Sequence, residues 1–568
     1  MEDIADVLAR CQQEMTAPGA PFELEDARVN GRTVKVYRHA ARTLPEFLAM
    51  GRTHGEREFM VYEGERWSFA RFYAAADALA AVLSSQFGVR AGTRVAIAMR
   101  NRPEWAVAFT AVASLGAVPA PINSFGMREE LLDALHQIEP RILLCDLDRL
   151  KRIEGEPGVP GCEVVLVDAE PLPHSRVHSM KALLAASPGK PVPPREVEVG
   201  TDDPALLLFT SGATSRAKAV LSTQRAVCQA LFNLDYIGAV AAKSSPAMIG
   251  AMIQRGFAPT TLMAVPLFHV SGLHAQLLAS LRHGRRLVLM HRWDAARALE
   301  LIREERVTQF NGAPSMLMQL LEDPGIADPE VMRSLGGFGA GGAGLPQRAI
   351  DRLTGFTDRI AGLGFGMTET NGVGAGASGE AFRLNPRCSG GLSPIIEARA
   401  ISAQGEMCAT CEPGEIWLRG VSLMSEYWRN PAATAEALTE DGWLRTGDVG
   451  YLDAHGQLYV VDRIKDVINR NGEKIAAAEV ESCLMQHPEV REAAVFGVPD
   501  EEVGEAVAAV VVTHEGSALS AEAVGTHVRA HLAAYKVPSL VYLRSEALPR
   551  NPAGKLLKGE LKEAYRAR

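Results

Sequence analysis

RVAIAMRNRPEWAVAFTAVASLG, residues 94–116, holds a short apolar run, a polar break and a longer apolar run that ends at Gly116. The first run, residues 94–100, reads as a buried strand. The second, from Pro103, reads as the helix that follows it. The same order returns in RRLVLM (285–290), DAARALELIREE (294–305) and VTQFNGAP (307–314), where Leu299 and Ile302 keep helical spacing. Such alternation, sustained from about Thr93 to Val512, predicts α/β layers with much parallel sheet.

At 568 residues the chain exceeds the size at which one hydrophobic core keeps growing, so more than one domain is expected. An apolar strand gives way to charge in YVVDRIKDVINRNGEK (459–474), and beyond it EVESCLMQH, EAAVFGVPD, EAVAAVVVT and SAEAVGTHVRAHLAAY read helix, strand, strand, helix. The expected organisation is a large layered α/β domain over 1–463 and a small, mobile α+β domain over 464–568, joined by a polar hinge.

A formal net charge of −9 argues against a nucleic-acid partner, so any phosphate-binding cations must be local. The opening MEDIADVLARCQQEMTAPGA lacks a basic and an apolar signal region, and no apolar run reaches membrane-spanning length, which predicts a cytoplasmic protein without a membrane span. Eight scattered cysteines fit reduced thiols, and the single CxxC at Cys408 and Cys411 lacks a second pair to complete a zinc site.

Four stretches carry candidate chemistry. In TSGATSRAKAV (210–220), Thr210, Ser211 and Thr214 offer hydroxyls, Gly212 lets backbone N–H groups approach an anion, and Lys218 supplies charge. The spacing is not that of the Walker loop, and taken alone the segment is equally a polar turn. In GLGFGMTET (362–370), glycines clear space around Phe365, whose ring can stack on a base, while Thr368 offers a hydroxyl and Glu369 a carboxylate for magnesium. The upstream GGFGAGGAG (336–344) contains GxGxxG but lacks the context of a dinucleotide site. GWLRTGDVGYLDAHGQLYVVDRIKD (442–466) places Asp448 in a turn suited to vicinal hydroxyls, with Arg463 as a phosphate or ribose partner. LPRNPAGKLLKGEL (548–561) carries Lys555, by itself an ordinary surface lysine.

In this order and at these separations, and together with PLFHVSG, GEIWLRG and YWRNPAAT, the four stretches resemble the adenylate-forming superfamily of acyl-CoA synthetases, peptide-synthetase adenylation domains and firefly luciferase. The resemblance covers nearly the whole chain beyond the first ~60 residues. It implies that Phe365 and Gly366 belong to the adenine motif, with Gly342 and Ala343 lining the adenine pocket. Thr368 would contact the α-phosphate, Glu369 hold magnesium, Asp448 the ribose, and Arg463 the ribose or phosphate. Lys465 would be the hinge residue, Lys555 the lysine bridging carboxylate and α-phosphate, and His269 a member of the acyl pocket. The implied ligands are ATP or an acyl-AMP, CoA and Mg, with a small carboxylic acid as substrate. The thiol acceptor is CoA or a carrier protein's phosphopantetheine arm, which nothing in the sequence separates.

Against the family loop TSGTTGxPKG, this chain has Ala213, Ser215, Ala217 and Ala219, and it has Gln224 and Ala477 where His and Pro are usual. The loop changes are expected to weaken the grip on the β- and γ-phosphates. Losing ~2 to 4 kcal/mol there slows adenylation about 10²- to 10³-fold without touching the second step. Three readings stay open: a complete acyl-CoA ligase, an enzyme converting only preformed acyl-AMP and CoA into thioester, and a non-enzymatic binder. Restoring glycine at Ser215 and Ala219 is expected to raise adenylation. The glycines from Gly336 to Gly344 are expected to leave room for a bulky or long apolar acid.

Overall fold

The computed structural model describes residues 3–169, 176–186, 197–210, 216–342, 344–471, 473–500, 502–551 and 554–566. The run that opens residue 94 is a strand, Arg94–Ala98, buried from Val95 onward. With Val118–Pro121, Ile142–Cys145, Glu163–Leu166 and Val177–Ser179 it builds an all-parallel sheet of five strands. Helix Pro103–Ser114 is apolar on every side because it is a core helix, with Trp105 and Phe109 fully buried and stacked at 5.6 Å. Gly116 turns the chain back at φ +66°, where a Cβ would lie 2.4 Å from Val199 Cγ2, so only glycine fits the return.

A second, 13-stranded sheet has a parallel centre formed by Thr260–Met263, Arg286–Leu289, Gln309–Gly312, Gly337–Gly341 and Ile360–Phe365. Helix Ala295–Glu304 buries Leu299 and Ile302 against this layer, as their spacing predicts. Past Phe365 the pairing becomes antiparallel, and Leu444–Leu452 and Gln457–Arg463 lie side by side with Asp448 opposite Arg463. The change of pairing brings the ends of unrelated motifs to one edge.

Sheet membership changes after Arg463. Val467–Arg470, Glu473–Ala476, Val490–Asp500, Gly504–Thr513 and Leu540–Arg544 form a separate five-stranded sheet. Its strand Gly504–Thr513 sends Val507, Ala509 and Val511 into one core and Ala508, Val510 and Val512 into another, because helices Ala477–Leu484 and Ala521–His531 cover one face and Lys558–Arg566 the other. Burial on both sides explains the unbroken apolar run EAVAAVVVT. Among the described residues, no helix is long and apolar enough to cross a membrane.

Two local expectations are corrected. The glycine-rich segment at 337–341 is itself a strand, and Gly339 is small because a Cβ there would sit 2.2 Å from Asn311 Oδ1. There the Asn311 side chain fills the space; a Cβ at Gly342 or Gly344 would meet nothing within 4 Å, and one at Gly341 only the Gly364 carbonyl at 3.7 Å.

Ala219 likewise does not belong to a phosphate cradle. It begins strand Ala219–Thr223, pairs with Phe209, accepts Trp428 N–H on its carbonyl at 2.7 Å, and is 1% exposed in the core. No described non-glycine residue of this strand has positive φ. Ala219→Gly is therefore expected to lower stability by about 0.5–1 kcal/mol, seen as a reduced urea midpoint, with no gain in adenylation.

Candidate active site

A cleft of about 1490 Å³ lies between the large and small domains. It gathers residues from segments far apart in sequence: Gly342, Phe365 and Gly366 from the parallel layer, Asp448 and Arg463 from the antiparallel strands, Lys465 from the hinge, and Lys555 from the C-terminal segment. Phe365 ends its strand half-buried, held against the apolar cluster that contains Tyr236 and Ile396, so its ring is supported from behind.

Asp448 is almost fully buried, and Arg463 Nε lies 3.4 Å from its Oδ1. Burial raises the Asp448 carboxyl above its ordinary range, opposed by the positive Arg463 and Lys555. Lys555 is set in a turn: its N–H donates to Asn551 Oδ1 at 2.8 Å, and its carbonyl accepts Asn551 N–H at 2.8 Å. Burial, then repulsion from Arg463 and Lys465, lowers its ammonium to about 8, although Asp448 and Asp466 pull the other way. A crowded cation near a carboxylate in a cleft fits a role in binding anions.

The turn also fixes the domain posture. Ser315 Oγ of the large domain donates to Gly554 carbonyl at 3.2 Å. Gly554 has φ +81°, and a Cβ there would lie 2.7 Å from Ala313 Cβ and Ser315 Oγ. Asp462 Oδ2 adds a second tie, accepting Ala478 N–H at 3.0 Å at the start of helix Ala477–Leu484. Behind it Lys558 Nζ pairs with the inward-facing Glu481 at 2.7 Å. Gly554→Val is expected to strain the turn by about 1–3 kcal/mol, seen as a lower thermal midpoint.

Other candidates sit one layer further out. Glu369 is buried and accepts Tyr427 Oη–H on Oε1 at 2.7 Å, while Lys218 Nζ stands 4.7 Å from the centroid of the Tyr427 ring. Tyr427 thus joins the loop lysine to the candidate metal carboxylate. It opens YWRNPAAT, but nothing in that motif alone marks its contact with Glu369. Thr210 and Lys218 close the loop by two bonds, Thr210 N–H to Lys218 carbonyl at 2.9 Å and Lys218 N–H to Thr210 Oγ1 at 3.1 Å. Thr368 begins a short 3₁₀ turn. Ser211, Gly212, Ala213, Thr214, Ser215 and Ala343 lie outside the described residues.

His269 is not among the residues that line this cleft. Its ring packs on Phe268 with centroids 4.5 Å apart, Nε2 has no hydrogen-bond partner among the described residues, and burial lowers it to about 4, leaving a neutral imidazole. Gln224 is a scaffold residue: Oε1 accepts Leu44 N–H at 2.7 Å and Nε2 donates to Pro204 carbonyl at 3.1 Å. A smaller cavity of about 230 Å³ lies beside the cleft, with Arg100, Phe125 and Trp293 on one wall and Arg550, Asn551 and Gly554 on the other.

Residues 47–428 match the family of AMP-binding enzymes, and residues 479–555 match the AMP-binding enzyme C-terminal domain. The chain is 32% identical over 508 residues to the long-chain-fatty-acid–CoA ligase FadD13 of Mycobacterium tuberculosis, covering 88% of this chain and 94% of that one. It superposes on ATP-bound MatB from Rhodopseudomonas palustris with a TM-score of 0.79 at 25% identity, over 92% of this chain and 99% of that one. The o-succinylbenzoate CoA synthetase MenE of Bacillus subtilis, solved with its acyl-adenylate intermediate, gives a TM-score of 0.72 at 29% identity over 91% and 97% of the two chains. The same enzyme solved with ATP and magnesium ion gives 0.72 at 30%, over 91% and 98%.

Proposed function

Because this chain belongs to the family of AMP-binding enzymes and to its acyl-CoA ligases, we propose that it activates a carboxylic acid with ATP and passes the acyl group to CoA. The observation that carries the reading is the convergence of Phe365, Asp448, Arg463 and Lys555 on one cleft. A carboxylate cannot expel oxide, so it must first gain a better leaving group. One carboxylate oxygen attacks the α-phosphorus, the bond to the β-phosphate oxygen breaks, and pyrophosphate departs, leaving a mixed anhydride. A thiolate then attacks the acyl carbon, the anhydride C–O bond breaks, and AMP leaves with the electron pair.

Each residue has a place in this chemistry. Phe365 stacks on adenine, with Gly342 leaving the approach open; Asp448 accepts the ribose hydroxyls; Arg463 reaches ribose or phosphate. Lys555 holds the carboxylate against the α-phosphate and stabilises charge as it gathers there. Glu369 fits magnesium: it is a buried hard donor whose bond to Tyr427 uses one oxygen, and magnesium takes only one or two protein carboxylates beside phosphate oxygens and water. Magnesium, when bound, neutralises phosphate charge. For thioester formation the small domain turns at Lys465 and withdraws Lys555, Arg550, Asn551 and Gly554, opening the smaller cavity to the thiol arm.

The acid proposed is long or bulky and apolar. Open space at Gly342 and Gly344, and the long-chain fatty acid in the name of the Mycobacterium tuberculosis relative, support this choice. Titration with acids of increasing length checks it, and preference for acetate refutes it.

A second reading, thioester formation from preformed acyl-AMP only, is favoured by Ala213, Ser215 and Ala217 in the phosphate loop. Acid-dependent exchange of labelled pyrophosphate into ATP separates the two. Exchange supports the full ligase. Its absence, with thioester formed from synthetic acyl-AMP, supports the half-reaction, and failure of both assays overturns both readings.

A further inference from the structure

Away from the nucleotide residues, the small domain holds a cluster that the ligase chemistry does not use. Cys483 on helix Ala477–Leu484 and His527 and His531 on helix Ala521–His531 each present one ligand atom, all within 4.8 Å of one another. Among the described residues this is the group of histidine, cysteine and carboxylate side chains close enough to share an ion. We propose that Cys483, His527 and His531 form a binding site for one borderline-soft divalent cation of the zinc class.

The geometry needs little adjustment. A tetrahedral zinc holds sulfur at about 2.3 Å and imidazole nitrogen at about 2.0–2.1 Å, which puts its ligand atoms roughly 3.3–3.6 Å apart. The two histidines lie four residues apart on one helix, so they share a face. Binding has to draw the ligand atoms in by up to about 1.5 Å from the 4.8 Å that bounds them now.

The surroundings orient the rings. His527 Nε2 is 2.9 Å from Cys483 carbonyl, and His531 Nδ1 is 2.8 Å from His527 carbonyl. A carbonyl can only accept, so those two nitrogens are the donors and each ring keeps a second nitrogen with a lone pair. Imidazole N–H groups tied to backbone carbonyls are a common outer support of metal-bound histidine. His487 packs edge-on against His527 with centroids 5.1 Å apart, and its Nδ1 accepts Glu489 N–H at 3.2 Å. That bond makes His487 Nδ1 the acceptor and leaves its Nε2 carrying the proton, so a water supplies the fourth ligand.

One sulfur and two imidazoles select zinc, cobalt or copper over magnesium, which takes oxygen. The site is therefore chemically separate from Glu369. Because Cys483 and His531 also line the interdomain cleft, an ion there ties two helices together at the cleft edge. It restrains the small domain without touching the reacting atoms.

The test uses the full chain, stripped with a chelator and titrated with Zn²⁺ or Co²⁺ alone. One ion per chain is expected, with a thiolate-to-cobalt charge-transfer band and a higher thermal midpoint with Zn²⁺. Cys483→Ser should abolish the band. His531→Gln, at an exposed position that tolerates change, should weaken Zn²⁺ affinity by about 10-fold or more. Replacing Cys408 and Cys411 with serine should leave stoichiometry and band unchanged. No stoichiometric ion, several weak ions, or binding unaltered by His531→Gln overturns the proposal, as does displacement of the ion by Mg²⁺.

Discussion

Lys555→Ala is expected to lower acid-dependent pyrophosphate exchange by about 10²- to 10³-fold, the usual effect of removing one organised donor from developing negative charge. Thioester formation from preformed acyl-AMP should stay within ~10-fold, since the proposed rotation removes Lys555 before that step. The pH profile gives an independent reading. Burial and neighbouring cations lower the free lysine to about 8, so the ammonium is present below that pH and lost above it. kcat/KM for exchange, which reports the free enzyme, should therefore fall as pH rises through about 8. In Lys555→Ala that limb should disappear. Equal loss in both half-reactions, or an unchanged alkaline limb, contradicts the role.

Asp448→Asn is expected to weaken acyl-AMP binding by about 10- to 150-fold, corresponding to the ~1.5–3 kcal/mol typical of hydrogen bonds to a charged group. Stability should move the other way or not at all. The folded-state pKa of Asp448 lies above its ordinary value because the carboxylate is desolvated. Ionisation as the pH rises past the unfolded value thus costs stability, and neutral asparagine relieves that cost. Weaker ligand binding with an unchanged or higher thermal midpoint near neutral pH is the mark of a residue kept for function. A matching fall in both would make Asp448 a structural residue.

The alternation around residues 94–116 made the layered fold legible, because buried parallel strands and core helices differ so clearly in length. Phe365, Asp448, Arg463 and Lys555 do line one cleft, but each stretch read singly was equally an ordinary turn or surface lysine, and only the family resemblance joined them. Partners across the chain were less legible still. Tyr427 meets Glu369 from 58 positions away, and Asp462 meets the backbone of Ala478 across the hinge; no local pattern encodes either bond. Ala219 was misread because a loop motif was followed one residue into a strand, where an apolar Cβ has a core to fill. Gly339 was misread because a missing side chain looks like free space until its neighbour, Asn311, is placed.

The central claim is that separated segments close on one adenosine monophosphate moiety beside an acyl carbon. A crystal structure with a non-hydrolysable acyl-AMP analogue tests it most directly. Adenine against Phe365, ribose hydroxyls on Asp448 and the acyl-phosphate link at Lys555 is the predicted result. A nucleotide bound away from Asp448 and Phe365 would contradict the account.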